Sequence, residues 1–153
     1  MDPQEQILHL IPNLTELFPM IEVLYFFGSQ ASKTNKADSD IDLAVFVNKE
    51  HHPYDPLLDL KMGAFFAEQL KEKTDIVIMN DANPIIQHEV LKNGVILFEK
   101  NSENRAKYEL TSFKKYIDHI YHQQKRWEKY KKAFKRSVKF RRLAVAAWHS
   151  HAV

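Results

Sequence analysis

Two short runs, "IEVLYFF" from Ile21 to Phe27 and "IDLAVFV" from Ile41 to Val47, constrain this chain most. Each is seven residues of mostly apolar, β-prone side chains, and each reads as a buried strand. The first stops at Gly28 and the second is led by acids, with Asp38, Asp40 and Asp42 falling between Ala37 and Leu43. Residues at i and i+2 of a strand share a face. Asp40 and Asp42 therefore point the same way and repel unless something positive lies between them. Ile41 between them points into the core.

Further elements follow from period and punctuation. Gln4 to Met20 carries Ile7, Leu10, Ile11, Leu14 and Phe18 at helical spacing, with Pro12 and Pro19 expected to interrupt or end the helix. "HHPYDP" reads as a loop, and Leu57 to Lys73 as a helix. "DIVIMN", Asp75 to Asn80, is a third strand, again led by an aspartate. Asn83 and Pro84 have the chemistry of an N-cap and first helical residue, and Asn93-Gly94 closes that helix. "VILFE", Val95 to Glu99, is a fourth strand. From Arg105 the pattern is one long helix. The order predicts an α/β or α+β domain with a small mixed sheet. It divides as a core over 1–104, a basic helix over 105–142 and a tail over 143–153 whose composition changes abruptly.

A third strand beside the second would bring Asp75 to Asp40 and Asp42 at one end of the sheet. Three hard oxygen donors suit Mg²⁺ or Mn²⁺. Two such ions stabilise both the attacking and the leaving oxygen of an in-line displacement at phosphorus. Gly28 follows a buried strand, where a tight turn or a close backbone approach is expected. Ser29 adds a hydroxyl and an N–H for a phosphate. Gly-Ser and Asp-x-Asp are each weak signals alone, and their joint spacing between two apolar strands is far stronger.

"GSQASKTNKADSDIDL" resembles the signature of the DNA polymerase β nucleotidyltransferase superfamily, in particular the minimal nucleotidyltransferase (MNT) antitoxins paired with HEPN toxins. The resemblance implies a triphosphate held at Gly28 and Ser29, two Mg²⁺ ions (or Mn²⁺) on Asp40 and Asp42, and Asp75 completing the metal site and helping to deprotonate the attacking hydroxyl. Ser39 occupies the small polar position before the aspartate pair. Many relatives read Gly-Ser-x-Ala-Arg-Gly, whereas this chain has Ser32 and Lys33 there. Lys33 replaces a fork of donors by a point charge toward phosphate. By the same resemblance ATP is the substrate, and AMP passes to a tyrosine hydroxyl of a HEPN ribonuclease toxin. Two other readings stand beside it. One is an antitoxin that neutralises by binding alone, and the other a transferase acting on a small-molecule or RNA hydroxyl.

Charge separates the two ends of the chain. Of 22 basic and 20 acidic residues, ten basic and one acidic (Glu128) fall between Lys125 and Arg142, leaving 12 basic and 19 acidic elsewhere. That segment is a candidate contact for nucleic acid or an acidic protein, against the commoner alternative of a solvated face. Leu110, Phe113, Ile117, Ile120, Trp127, Phe134 and Val138 form a stripe along the same helix. A helix of about 35 residues runs about 50 Å, longer than packing on a small sheet requires, so a partner for its distal half is expected. Eight histidines include His119 and His122 at i and i+3, without another metal ligand in view. No cysteine is present, which excludes a disulfide framework, a thiolate zinc site and a cysteine nucleophile and suits a cytoplasmic setting. The opening residues do not form a signal peptide, and no apolar run is long enough to span a bilayer, so no membrane partner is expected.

Overall fold

The computed structural model describes residues 2–31 and 40–151. The chain forms two compact units, Met1–Tyr116 and Ile117–Val153.

The first unit contains a four-stranded sheet. Its strands are β1 (Ile21–Phe27), β2 (Ile41–Val47), β3 (Thr74–Ile78) and β4 (Val95–Glu99), in the spatial order β3-β2-β1-β4. β1 is antiparallel to both neighbours, and β2 and β3 are parallel, so the sheet is mixed as expected. The central strands β1 and β2 are buried almost throughout because both faces are covered. On one face Ile7 and Leu14 of α1 (Pro3–Leu17) and Met62, Phe66 and Leu70 of α3 (Leu58–Leu70) pack on Leu24, Ile41, Leu43 and Val45. On the other, Val90 of α4 (Pro84–Asn93) and Met79 pack on Val23, Tyr25, Ala44 and Phe46. Each such side chain contributes about 1.5–3 kcal/mol through burial, which is why these two runs are so continuously apolar.

Tyr108, in the first turns of the last helix α5 (Ser102–His151), stacks on Phe46 with centroids 5.0 Å apart. Buried Tyr25 donates its hydroxyl proton to Glu109 at 2.7 Å, and Glu109 also accepts from Arg105 at 3.1 Å. Arg105 reaches Glu99 on β4 as well. This chain of polar contacts ties the start of α5 to β1 and β4.

Several boundaries depart from the sequence pattern for local reasons. Pro12 lies inside α1 without ending it. One backbone bond is forfeited there, and the apolar face toward the sheet still runs from Ile7 to Leu14. α3 ends at Leu70 because Lys71 adopts a left-handed φ of 58°. β3 stops at Ile78, and Met79–Asp81 forms a 3₁₀ turn in place of the expected strand end. There Asn80 accepts from the Val47 amide and donates to the Val47 carbonyl, both at 2.9 Å, so a side chain replaces the next backbone pair. Asn83 caps α4 as expected, accepting from Ile85 N–H at 2.8 Å. Gly94 closes α4 through space: its φ is −75°, and a Cβ there would lie 2.5 Å from the Val90 carbonyl oxygen. α5 begins at Ser102 and continues through the 143–151 stretch.

In the second unit the described residues are helical from Ile117 to His151, and nearly every described side chain from Tyr121 onward is exposed. No helix of the described chain is long and apolar enough to cross a membrane.

Candidate active site

The aspartates meet where β1 ends and β2 and β3 begin. Asp42 is the second residue of β2 and Asp75 the second of β3, and the two are direct register partners. Parallel strands in register bring both carboxylates to one end and one face of the sheet. Asp40 precedes β2 by one residue and shares that face. Ile41 between them is 1% exposed in the core, as the alternation requires. On the other side of β2, Phe27 of β1 pairs with Asp42. Gly28 follows immediately, with φ of +82°, and opens the short helix α2 (Gly28–Ala31). A Cβ at Gly28 would lie 2.2 Å from Asp42 Oδ2. Both expectations for this glycine therefore hold: the backbone turns through the left-handed region, and it passes against a carboxylate. Ser29 stands second in α2. Ser39, Lys33 and Asp38 lie outside the described residues.

Gly28→Ala is expected to destabilise the fold by about 1–2 kcal/mol through backbone strain and to displace the Asp42 carboxylate. Chemical denaturation measures the first effect, and the carboxyl carbon shift of Asp42 by NMR the second. An unmoved Asp42 signal would contradict the close approach.

Electrostatics mark Asp42 as the strained member. Burial pushes its carboxyl above the ordinary value, and the charges of Asp75 and then Asp40 push it further; Lys73 pulls it back. Lys73 is the residue that the sequence pattern did not disclose. Its ammonium lies 3.4 Å from Asp40 Oδ2, and its own titration is raised, first by that contact and then by the charges of Asp40, Asp75 and Asp42. Its carbonyl accepts from Ile41 N–H at 3.1 Å, which anchors its backbone beside the aspartate pair. The side chain is 72% exposed, so the ion pair adds little to stability. What matters is where the charge is placed: in the metal-free protein it supplies part of the positive charge that the aspartates require.

Lys73→Met should therefore raise the Asp42 titration midpoint further in metal-free protein, because the opposing charge is gone. An NMR titration of the Asp42 carboxyl carbon reads this directly, and an unchanged midpoint would contradict the assignment.

Among the described residues no three His, Cys, Asp or Glu side chains already converge as a metal cage, and this holds for His119 and His122 too. The residues nevertheless fit a hard divalent cation. Three carboxylates from adjacent strand ends supply oxygen donors only, and their mutual repulsion is the surplus negative charge that such an ion neutralises. A separate cleft, lined by Val47, Tyr54, Leu58, Ile78 and Ile86, lies at the opposite ends of β2 and β3, away from this chemistry.

The chain is similar to several known proteins. A curated relative, the protein adenylyltransferase MntA of Aphanizomenon flos-aquae (strain 2012/KM1/D3), is 28% identical over 116 residues, spanning 65% of this chain and 77% of that protein. A crystal structure of a toxin–antitoxin with AMP-PNP contains a chain of similar fold, with TM-score 0.69 and 21% identity over 82% of this chain and 96% of that one. A structure of a tri-AMPylated Shewanella oneidensis HEPN toxin in complex with MNT antitoxin matches with TM-score 0.65 and 19% identity, over 82% and 96% of the two chains. The family model described as polymerase beta, nucleotidyltransferase matches residues 9–103, a span that includes Gly28, Asp40, Asp42, Lys73 and Asp75. The chain belongs to the polymerase beta nucleotidyltransferase family.

Proposed function

We propose that this protein is an antitoxin that transfers AMP from ATP to a tyrosine hydroxyl of a HEPN-domain ribonuclease toxin. The observation that carries the chemistry is the register pairing of Asp42 with Asp75, with Asp40 beside them and Gly28 against Asp42. The choice of acceptor is supported by the relatives, which include a protein adenylyltransferase and a complex holding an AMPylated HEPN toxin.

In this reading Asp40 and Asp42 hold two Mg²⁺ ions and Asp75 holds one of them. When bound, such a pair neutralises charge on the attacking and leaving oxygens. Gly28 and Ser29 seat the triphosphate, since a residue without a side chain lets the backbone approach phosphate closely. Ser39 and Lys33 are assigned to the same nucleotide. The Asp75 carboxylate takes the proton from the acceptor hydroxyl. The acceptor oxygen forms its bond to the α-phosphorus as the bond to the β-phosphate oxygen breaks, and pyrophosphate leaves. The added phosphodiester brings negative charge and bulk to the toxin, which opposes RNA binding there.

The position of the label in ATP tests the reaction class. With a purified HEPN partner, label in the α-phosphate should become covalently attached and label in the γ-phosphate should not. Transfer from the γ-position would make the protein a kinase, and transfer to added RNA or small hydroxyl compounds in preference to the partner would replace the acceptor.

A further inference from the structure

The second unit carries an apolar seam that the described chain leaves uncovered. Trp127, Tyr130, Phe134, Val138, Val145 and Trp148 fall within an arc of about 80° on a helix of 3.6 residues per turn. Trp127, Phe134, Val145 and Trp148 are 60%, 70%, 53% and 74% exposed. With Ile120, the spacings of three, four and seven hold over four heptads, and the family match ends well before them, at residue 103. Seven of the ten large apolar residues from Ile120 to Trp148 share this arc, with Tyr121, Phe140 and Leu143 outside it, and a stripe of that width suits pairing with another helix, where a membrane-surface helix presents a broader apolar face. Val138 and Val145 give it aliphatic positions that a nucleic-acid stacking surface has no use for.

Charge selects the kind of helix. Arg141 interrupts the seam, and Lys131, Arg142 and Lys135 lie successively farther out along one border. Lys131 lies over the Trp127 ring, 5.5 Å from its centroid, so a border cation rests on a seam aromatic. A second copy of this helix, in either direction, would set ten basic residues against ten. We infer that the seam over residues 120–148 docks an acidic amphipathic helix of a partner protein, with apolar residues in the heptad core and Asp or Glu facing Lys131, Lys135, Arg141 and Arg142.

Both tryptophans of the chain, Trp127 and Trp148, lie in the seam, so intrinsic fluorescence reports its occupancy. Full-length protein is titrated with a synthetic peptide of about four heptads that carries Leu and Ile in its core and Glu at its flanks. Tryptophan emission should shift to the blue, and sedimentation should give one peptide per chain. The same peptide with Lys in place of Glu should bind at least about tenfold more weakly. Trp127→Ser with Phe134→Ser should abolish binding while helicity by circular dichroism is retained, and Lys131→Glu with Arg141→Glu should weaken it. Equal affinity for the two peptides would overturn the charge argument. So would self-association of the chain, a blue shift on vesicles of anionic lipid, or tighter binding to a polyuridine RNA, which would give the seam to a second copy, a membrane or nucleic acid respectively.

Discussion

Replacing Asp42 by asparagine is expected to reduce AMP transfer by about a thousandfold or more while making the metal-free protein more stable at neutral pH. Both effects have one cause. Asp42 lies against Gly28 and beside Asp75; in the proposed reaction a divalent cation would need its charge there, and without a cation that charge is unfavourable. Its carboxyl titrates above the ordinary value, so the folded protein binds that proton more tightly than the unfolded chain does. The stabilisation is fully present below the unfolded value and is lost as pH rises through the raised folded one. Asparagine carries no such loss. The advantage of the variant in thermal melts of metal-free protein should therefore be absent near pH 4 and grow toward pH 7. A variant with wild-type transfer, or one equally destabilised at every pH, would remove Asp42 from the chemistry.

Chelation of Mg²⁺ should weaken ATP binding by about a hundredfold or more, equivalent to about 3 kcal/mol. The triphosphate would otherwise meet three carboxylates, and Lys73, exposed and shared among them, offsets only part of that repulsion. Calorimetry with ATP, in Mg²⁺ and in chelator, measures the difference. The gap should narrow in Asp40→Asn with Asp42→Asn, which removes two of the three opposing charges. Equal affinities for the wild-type protein would sink the two-metal reading.

Much of the fold around this candidate site is legible in the sequence, and the parts that are not have definite reasons. β1 and β2 match their expected bounds because both faces are buried, which makes the runs apolar apart from Glu22 near the start of β1 and Asp42 near the start of β2. The convergence of Asp42 and Asp75 depended on β2 and β3 being neighbours, which no local pattern states and which the parallel pairing supplies. Gly28 was legible as a special backbone position, but its contact with Asp42 arises from the β1–β2 register, a property of two segments. Lys73 gave no signal, since a lysine ahead of a strand reads as a surface residue; only its carbonyl bond to Ile41 places it among the aspartates. The end of β3 was misplaced because Asn80 completes the pairing with its side chain, a substitution invisible to propensity. Pro12 was expected to interrupt or end its helix, yet burial of Ile7 and Leu14 on either side keeps α1 continuous.

The transfer reaction itself is tested most directly by weighing the partner. The chain is co-expressed with the proposed HEPN toxin partner, and the toxin's intact mass is taken after the two are separated. The account predicts covalent AMP increments on the toxin, on tyrosine when the modified peptide is sequenced, and protection that persists once this chain is removed. With Asp40→Asn and Asp42→Asn together, the toxin should return unmodified and active. An unmodified toxin that is neutralised equally by the wild-type chain and the double variant would contradict the account and leave an antitoxin that acts by occlusion.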